Sequence, residues 1–303
     1  MIEYIPAKTI VTRTKSAEWF GTDYNMNIYK GCCHGCIYCD SRSECYHIDN
    51  FEKVRVKQDA LRIIRDDLRR KVKKGVINTG AMSDPYNPLE EELCLTRHAL
   101  ELIDAYEFGV SIATKGPLIA RDVDILSSIR EHSPVICKIT ITTAADGLSA
   151  KVEPGAAVSS KRFEALARLR DCGIFAGILL MPVLPFIEDN EENVRAIIEK
   201  ASECGCRFIY PAFGMTLRQN QRDYYYEMLN RIFPGENLVG KYRKRYGESY
   251  ECRSPQAARL YRMLGAECEK RGILYKMKDI THAYKENYGD NQLNFLDMTM
   301  WLF

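Results

Sequence analysis

The chain has 303 residues, 46% hydrophobic and 28% charged, which are the proportions of a folded globular protein and exclude a disordered chain. Its formal net charge is only +2, so no global field recruits polyanions or anionic membranes, and any nucleic-acid contact must be a local patch. Twelve cysteines fall well short of the ~8–10% of residues that marks disulfide-built secreted scaffolds, so a reducing cytoplasm is expected, with thiols kept for metal or packing.

The amino-terminal Met1-Ile2-Glu3-Tyr4 lacks the basic and apolar run of a leader. The longest apolar stretch, residues 175–186, is interrupted by Gly177, Pro182 and Pro185, so no membrane span is expected. Along the chain, strand-like runs at 24–29, 76–79, 110–114, 135–141, 175–183 and 208–213 alternate with amphipathic stretches of helical period. Those stretches lie at 59–73, 96–106, 123–132, 161–172 and 191–204. Such alternation signals βαβ units and a parallel sheet. Six units predict a partial (β/α)6 TIM-like barrel that directs the loops after its strands to one functional face; a flat doubly wound sheet is the competing architecture. No repeat or linker splits the chain. The expected division is a core over residues 1–217 and a mostly helical extension over 218–303 packed on it. Extension helices are predicted at 219–232 and 254–271, the second with Ser254 as N-cap, Pro255 in its first turn and Gly272 at its end.

Directly after the first predicted strand, Cys32, Cys36 and Cys39 are spaced Cys-x3-Cys-x2-Cys. Thiolates select zinc, copper(I) or iron–sulfur clusters, and three from one loop can wrap an inorganic cluster while leaving one iron open. Zinc is the alternative: Cys33, Cys36 and Cys39 with His34, Cys45 or His47 would complete a tetrahedral site. The position after a strand at the start of a β/α run favours a catalytic reading.

The string Asn27-Ile28-Tyr29-Lys30-Gly31-Cys32-Cys33-His34-Gly35-Cys36-Ile37-Tyr38-Cys39 resembles the cysteine loop of the radical SAM superfamily, and more closely its spore photoproduct lyase-like branch, from which Ile28 and Asp40 depart. The resemblance continues through Ser83-Asp84-Pro85-Tyr86-Asn87-Pro88-Leu89-Glu90, Leu95-Thr96-Arg97, Thr114-Lys115, Arg121-Asp122, Glu153-Pro154-Gly155 and Pro182-Val183-Leu184-Pro185. It implies a 4Fe-4S cluster on Cys32, Cys36 and Cys39 whose free iron binds S-adenosyl-L-methionine. It also implies reductive cleavage to a 5′-deoxyadenosyl radical that abstracts a substrate hydrogen. By the same resemblance, Tyr38, Ser83, Lys115, Thr142 and Met181 contact the cofactor, with Lys115 suited to a carboxylate and Ser83 to an amino group. A reductant such as flavodoxin or ferredoxin is implied as partner.

One departure narrows the substrate. Spore photoproduct lyase has a hydrogen-donating cysteine where this chain has Ala81, so repair by that route would need Cys94, Tyr38, Tyr86 or another group in its place. Two basic runs, at 69–74 and 241–246, are candidate phosphate contacts, and the second interleaves tyrosines that could stack bases. Tyr224-Tyr225-Tyr226 and residues 298–303 read as core or interface aromatics. Cys137, Cys172, Cys204, Cys206 and Cys268 read as packing residues, leaving a single cluster. The competing function is a zinc-stabilised nucleic-acid-binding protein built on the same cysteine loop.

Overall fold

Each crossover in this chain returns to the strand next door. The computed structural model describes residues 2–288. Its six parallel strands are β1 (Tyr24–Met26), β2 (Val76–Thr79), β3 (Gly109–Thr114), β4 (Val135–Thr140), β5 (Ala176–Val183) and β6 (Phe208–Thr216), hydrogen-bonded in chain order. Between them run α1 (Ala60–Arg69), α2 (Leu95–Ala105), α3 (Val123–His132), α4 (Ser159–Asp171) and α5 (Glu191–Glu203). Right-handed crossovers in unbroken order put every helix on the same side, so the sheet curls into an arc of barrel. A doubly wound sheet would reverse its order at a switch point, and this one does not. The arc ends in antiparallel strands that the sequence did not announce, Val11–Arg13 beside β1 and Glu251–Arg253 beside β6.

Side-chain parity divides the sheet. Val110, Ile112, Cys137 and Ile139 point outward and join the buried faces of the helices, among them Leu100, Leu126, Leu166 and Ile197, in one core cluster. In α5 the buried positions Val194, Ile197, Ile198 and Ala201 follow helical spacing; Asn190 caps the start by accepting from the Asn193 amide at 2.9 Å, and Gly205 (φ +68°) follows the end. The alternate residues of the strands face the concave interior. There Lys138 is fully buried and donates to Asn78 Oδ1 at 2.9 Å and to Ser111 Oγ at 2.5 Å, with the Phe20 ring 4.7 Å from its Nζ.

Beyond β6 the chain forms α6 (Gln219–Ile232), α7 (Leu238–Tyr246), the edge strand, α8 (Ala257–Arg271) and α9 (Met277–Lys285). The last of these stops the N-terminal end of the barrel. Ile280 and Tyr284 pack with Phe20, Val76, Ile136 and Phe208, and the Tyr284 hydroxyl donates to the Phe20 carbonyl at 2.5 Å. Ser254 does not cap α8, which starts three residues later: its hydroxyl accepts from the Gln256 amide at 2.9 Å and donates to Asp189 at 2.5 Å, holding a turn ahead of the helix. Gly272, at φ +65°, does end it. Tyr225 and Tyr226 are core, and Tyr224 lies under the Arg42 guanidinium at 3.8 Å. Residues 298–303 lie outside the described residues. Among the described residues no helix is long and apolar enough to cross a membrane.

Candidate active site

The backbone leaves β1 at Met26, and Tyr29–Lys30 pairs instead with Arg55–Lys57, which also pairs with Glu3–Ile5 in a small second sheet. Gly31 then turns the chain at φ +85°, where a Cβ would stand 2.5 Å from the Lys53 carbonyl oxygen and 2.7 Å from that of Phe51. The Cys32 amide donates to the Phe51 carbonyl at 2.8 Å. The cysteine loop thus begins at the carboxyl end of the first barrel strand, held from one side by a sheet of its own. From the other side it rests on Glu153-Pro154-Gly155. The Gly155 amide donates to the His34 carbonyl at 2.8 Å, and a Cβ on Gly155 would meet the Cys33 carbonyl oxygen at 2.3 Å.

Cys32, Cys36, Cys39, Ser83, Lys115 and Met181 share the wall of one cavity of about 310 Å³ at the strands' carboxyl ends. Burial pushes the Cys32 thiol up to about 11 and raises Cys36 further, so these sulfurs become thiolates only beside a bound cation, as metal ligands do. Ser83 Oγ donates to the Tyr29 carbonyl at 2.8 Å, leaving its lone pairs as acceptors. Burial works against the Lys115 ammonium, but the charge of Cys36 in its thiolate form and that of the Glu153 carboxylate outweigh it and favour the charged group. Among the described residues no three His, Cys, Asp or Glu side chains converge on a single-ion site. The donor set fits a larger inorganic group with an amino acid beside it: three thiols, an ammonium and a hydroxyl around one space. Tyr38 and Thr142 are placed differently. Tyr38 faces a neighbouring cavity, and Thr142 stands off the wall and donates to Glu188 at 2.8 Å, while Thr140, two residues earlier, lines the cavity.

Three buried carboxylates organise these walls. Glu153 accepts from the Tyr38 hydroxyl, lies 3.8 Å from Lys115 Nζ and pairs with the fully buried Arg162 at 2.5 Å. Asp84 accepts from the Tyr86 amide at 2.9 Å, the Thr114 hydroxyl at 2.5 Å and the Lys115 amide at 2.7 Å, so it binds the loop after β2 to the loop after β3. Glu90 accepts from the Tyr29 hydroxyl and from the Thr96 amide at 2.9 Å, and pairs with Arg121 at 3.1 Å; Arg121 in turn reaches Asp122 at 2.7 Å. The sequence marks Asp84, Glu90, Arg121, Asp122 and Glu153 as motif residues. These long-range contacts cross between 30 and 115 residues of chain, which periodicity cannot reveal.

The neighbouring cavity, about 530 Å³, shares Cys39, Ser41, Ala81 and Met181 with the first; Phe213 and Arg253 line it further out. Both volumes fit small-ligand sites, roughly 300–1,000 Å³. Asp40 borders it. Asp40 Oδ1 accepts from Thr216 Oγ1 at 3.1 Å and from Arg218 Nε at 3.2 Å, Oδ2 accepts from Tyr46 at 2.7 Å, and Gln221 donates to the Tyr38 carbonyl at 3.0 Å. The start of the extension therefore clamps the cysteine loop.

The sequence profile described as the radical SAM superfamily matches residues 26–207. The chain belongs to the radical SAM superfamily. It is similar to an uncharacterized protein of Mycobacterium tuberculosis, 26% identical over 246 residues, covering 79% of this chain and 72% of that protein. An uncharacterized protein of Methanocaldococcus jannaschii is 32% identical over 190 residues, covering 62% and 69%. The fold is that of spore photoproduct lyase: a structure complexed with dinucleoside spore photoproduct aligns with a TM-score of 0.64 at 12% identity, over 90% of this chain and 81% of that one. The radical S-adenosylmethionine methyltransferase TsrM from Kitasatospora setae aligns with a TM-score of 0.54 at 10% identity, over 88% and 59%. As a radical SAM protein the chain is an enzyme whose family uses a 4Fe-4S cluster and S-adenosyl-L-methionine.

Proposed function

We propose that the inner cavity holds a 4Fe-4S cluster on Cys32, Cys36 and Cys39 together with S-adenosyl-L-methionine, and that the outer cavity holds a substrate derived from nucleic acid. One observation carries this reading: the three cysteines, Ser83 and Lys115 surround one space that adjoins a second through Ala81 and Met181. When bound, the cofactor pair supplies a one-electron reductive cleavage that produces a 5′-deoxyadenosyl radical. Lys115 pairs with the methionyl carboxylate and Ser83 accepts from the amino group. Glu153 fixes Tyr38 between the two cavities and screens Lys115, and Met181 separates adenosine from substrate. Ala81 carries no transferable hydrogen, so no side chain at this position quenches the product radical. That spore photoproduct lyase has been seen with a dinucleoside photoproduct supports a nucleic-acid fragment as substrate.

Anaerobic reconstitution tests the proposal. Iron and labile sulfide should bind in equal amounts, the magnetic resonance of the reduced protein should shift when S-adenosylmethionine is added, and Cys36→Ala should abolish 5′-deoxyadenosine. Deuterium should then pass from labelled oligonucleotides into 5′-deoxyadenosine. Zinc alone in the purified protein, or a spectrum indifferent to S-adenosylmethionine, would overturn it in favour of a zinc-stabilised fold.

A further inference from the structure

Which nucleotide the outer cavity takes is left open above, and the edge strand Glu251–Arg253 bears on it. The strand pairs antiparallel with β6, setting Glu251 opposite Thr216, Cys252 opposite Met215 and Arg253 opposite Gly214. Successive side chains of a strand point to opposite faces. Cys252 is fully buried in the apolar cluster it shares with Tyr225 and Tyr242, so Glu251 and Arg253 turn the other way and line the outer cavity. Gly214 lets the strand come this close: at φ +140°, a Cβ there would stand 2.7 Å from the Cys252 carbonyl oxygen and 2.8 Å from the Arg253 Cα. Both polar residues sit on pinned backbone. The Glu251 carbonyl accepts from the Ser249 hydroxyl at 2.9 Å, and the Arg253 carbonyl accepts from the Tyr246 hydroxyl at 2.8 Å.

Most other polar side chains of this wall are already committed. Tyr38 donates to Glu153, Thr216 donates to Asp40 at 3.1 Å, and Asp40 also accepts from Arg218 at 3.2 Å and from Tyr46 at 2.7 Å. Among the described residues the Glu251 carboxylate and the Arg253 guanidinium have no ion-pair or hydrogen-bond partner, and they do not pair with each other. They are therefore two separate poles on one cavity wall, with Cα atoms about 7 Å apart along the strand. An α-amino acid carries both its charges on one carbon and is too short to bridge them. A nucleotide, with its anion at one end and a base edge at the other, has the length. Met181, Pro182, Phe213 and Met215 supply apolar surface for a planar base.

The two poles differ in what they accept. A guanidinium forks onto phosphate. A carboxylate only accepts hydrogen bonds, so it takes the N4 amine of cytosine but opposes the carbonyl oxygen that uracil and thymine hold in the same place. Opposition of that kind is what makes a site selective. We infer that Glu251 and Arg253 make the outer cavity selective for a nucleotide whose base carries an exocyclic amino group, with Arg253 on its phosphate and Glu251 accepting from its amine. The inference rests on the nucleic-acid reading proposed above and narrows it.

The test is equilibrium binding of dCMP, dUMP and deoxycytidine to the reconstituted protein with S-adenosylmethionine present and oxygen excluded. The parent should bind dCMP roughly tenfold or more tightly than either dUMP, which differs only in the amine, or deoxycytidine, which lacks the phosphate. Glu251→Gln should bring dCMP and dUMP to similar affinities while keeping the preference for dCMP over deoxycytidine. Arg253→Gln should do the reverse, and because each variant keeps what the other loses, misfolding cannot produce the pattern. Equal binding of dCMP and dUMP by the parent, or loss of both preferences in either variant, would overturn the inference and leave the nucleic-acid reading standing. If no nucleotide binds although S-adenosylmethionine still shifts the magnetic resonance of the reduced protein, the nucleic-acid reading fails and the inference falls with it. Binding of glycyl-phenylalanine in place of nucleotides would likewise overturn it and assign the two poles to a peptide.

Discussion

Replacing Glu153 by glutamine should leave the fold intact and cost it about 3 kcal/mol, the low end of the ~3–5 kcal/mol expected when one member of a buried ion pair is neutralised. The low end applies because Arg162, with no solvent exposure, keeps two other acceptors, the Thr140 carbonyl at 2.9 Å and the Ala157 carbonyl at 2.7 Å. The amide can still accept from Tyr38, so the loss isolates the charge facing Arg162 at 2.5 Å and Lys115 at 3.8 Å. For a chain of this size, at about 2.1 cal/mol/K of unfolding entropy per residue, ~3 kcal/mol corresponds to a fall of roughly 5 °C in melting temperature. Thermal and urea unfolding followed by circular dichroism and by intrinsic fluorescence at pH 7 would measure it, with coincidence of the two probes as the two-state check. Adding Arg162→Met to the variant should restore most of the loss, because removing both charges leaves neither uncompensated. A single variant within about 1 kcal/mol of the parent, or a double variant whose losses simply add, would refute the coupling between these groups.

Gly155→Ala should displace the cysteine loop, since its Cβ would meet backbone of Cys33 and His34 at 2.3–3.1 Å. Iron bound after reconstitution should fall severalfold, whereas Gly147→Ala, with nothing within 4 Å, should bind iron normally and gain up to ~1 kcal/mol in its helix. Lys138 is pushed down to about 7 by burial. The unfolded chain therefore holds the extra proton between about pH 7 and 10.5, and the lysine's destabilising effect, full below pH 7, fades as pH rises at about 1.4 kcal/mol per unit. Lys138→Met should be more stable than the parent at pH 6, and the gap should narrow by roughly 3 kcal/mol between pH 7 and pH 9; a pH-independent gap in urea midpoints would contradict this. Glu188, raised to about 8 by burial, shifts stability the opposite way between about pH 4.5 and 8, so Glu188→Gln should be the less stable form at pH 5 relative to its standing at pH 9 if the carboxyl is protonated as the structure implies.

The β/α alternation was legible because it lies in local periodicity. Five of the six strands and all five crossover helices fall within a few residues of the sequence reading, and β1 is shorter because Tyr29–Lys30 finds a better partner in Arg55–Lys57. Short edge strands such as Val11–Arg13 carry too few residues for a pattern. The basic run at 241–246 was read for its charge, and its helix went unseen because Tyr242 and Tyr246 interrupt the polar face; in the fold those rings turn inward and supply the apolar face. At the site, the cysteines, Ser83, Lys115 and Met181 were visible as motif residues and do share one cavity. Thr142, assigned through the family resemblance, stands two residues, one period of a strand, beyond Thr140, which lines the wall. The contacts of Glu90 with Tyr29 and Arg121 and of Glu153 with Tyr38 and Lys115 depend on partners distant in the chain, and no local signal encodes them.

The stopper at the base of the barrel joins Phe20 to Tyr284 across 264 positions of sequence. A ribosome delivers the first of these long before the second, so the newborn sheet stands open at the bottom while α1 to α5 are already able to pack. Phe20, Val76, Ile136 and Phe208 lack the cover of Ile280 and Tyr284 during that interval and gain it only when the final described helix arrives. Quality-control proteases and chaperones would thus meet a nearly complete molecule with one unlatched end, and a lesion in α9 should shorten its lifetime in the cell far more than it alters the geometry around the cysteines.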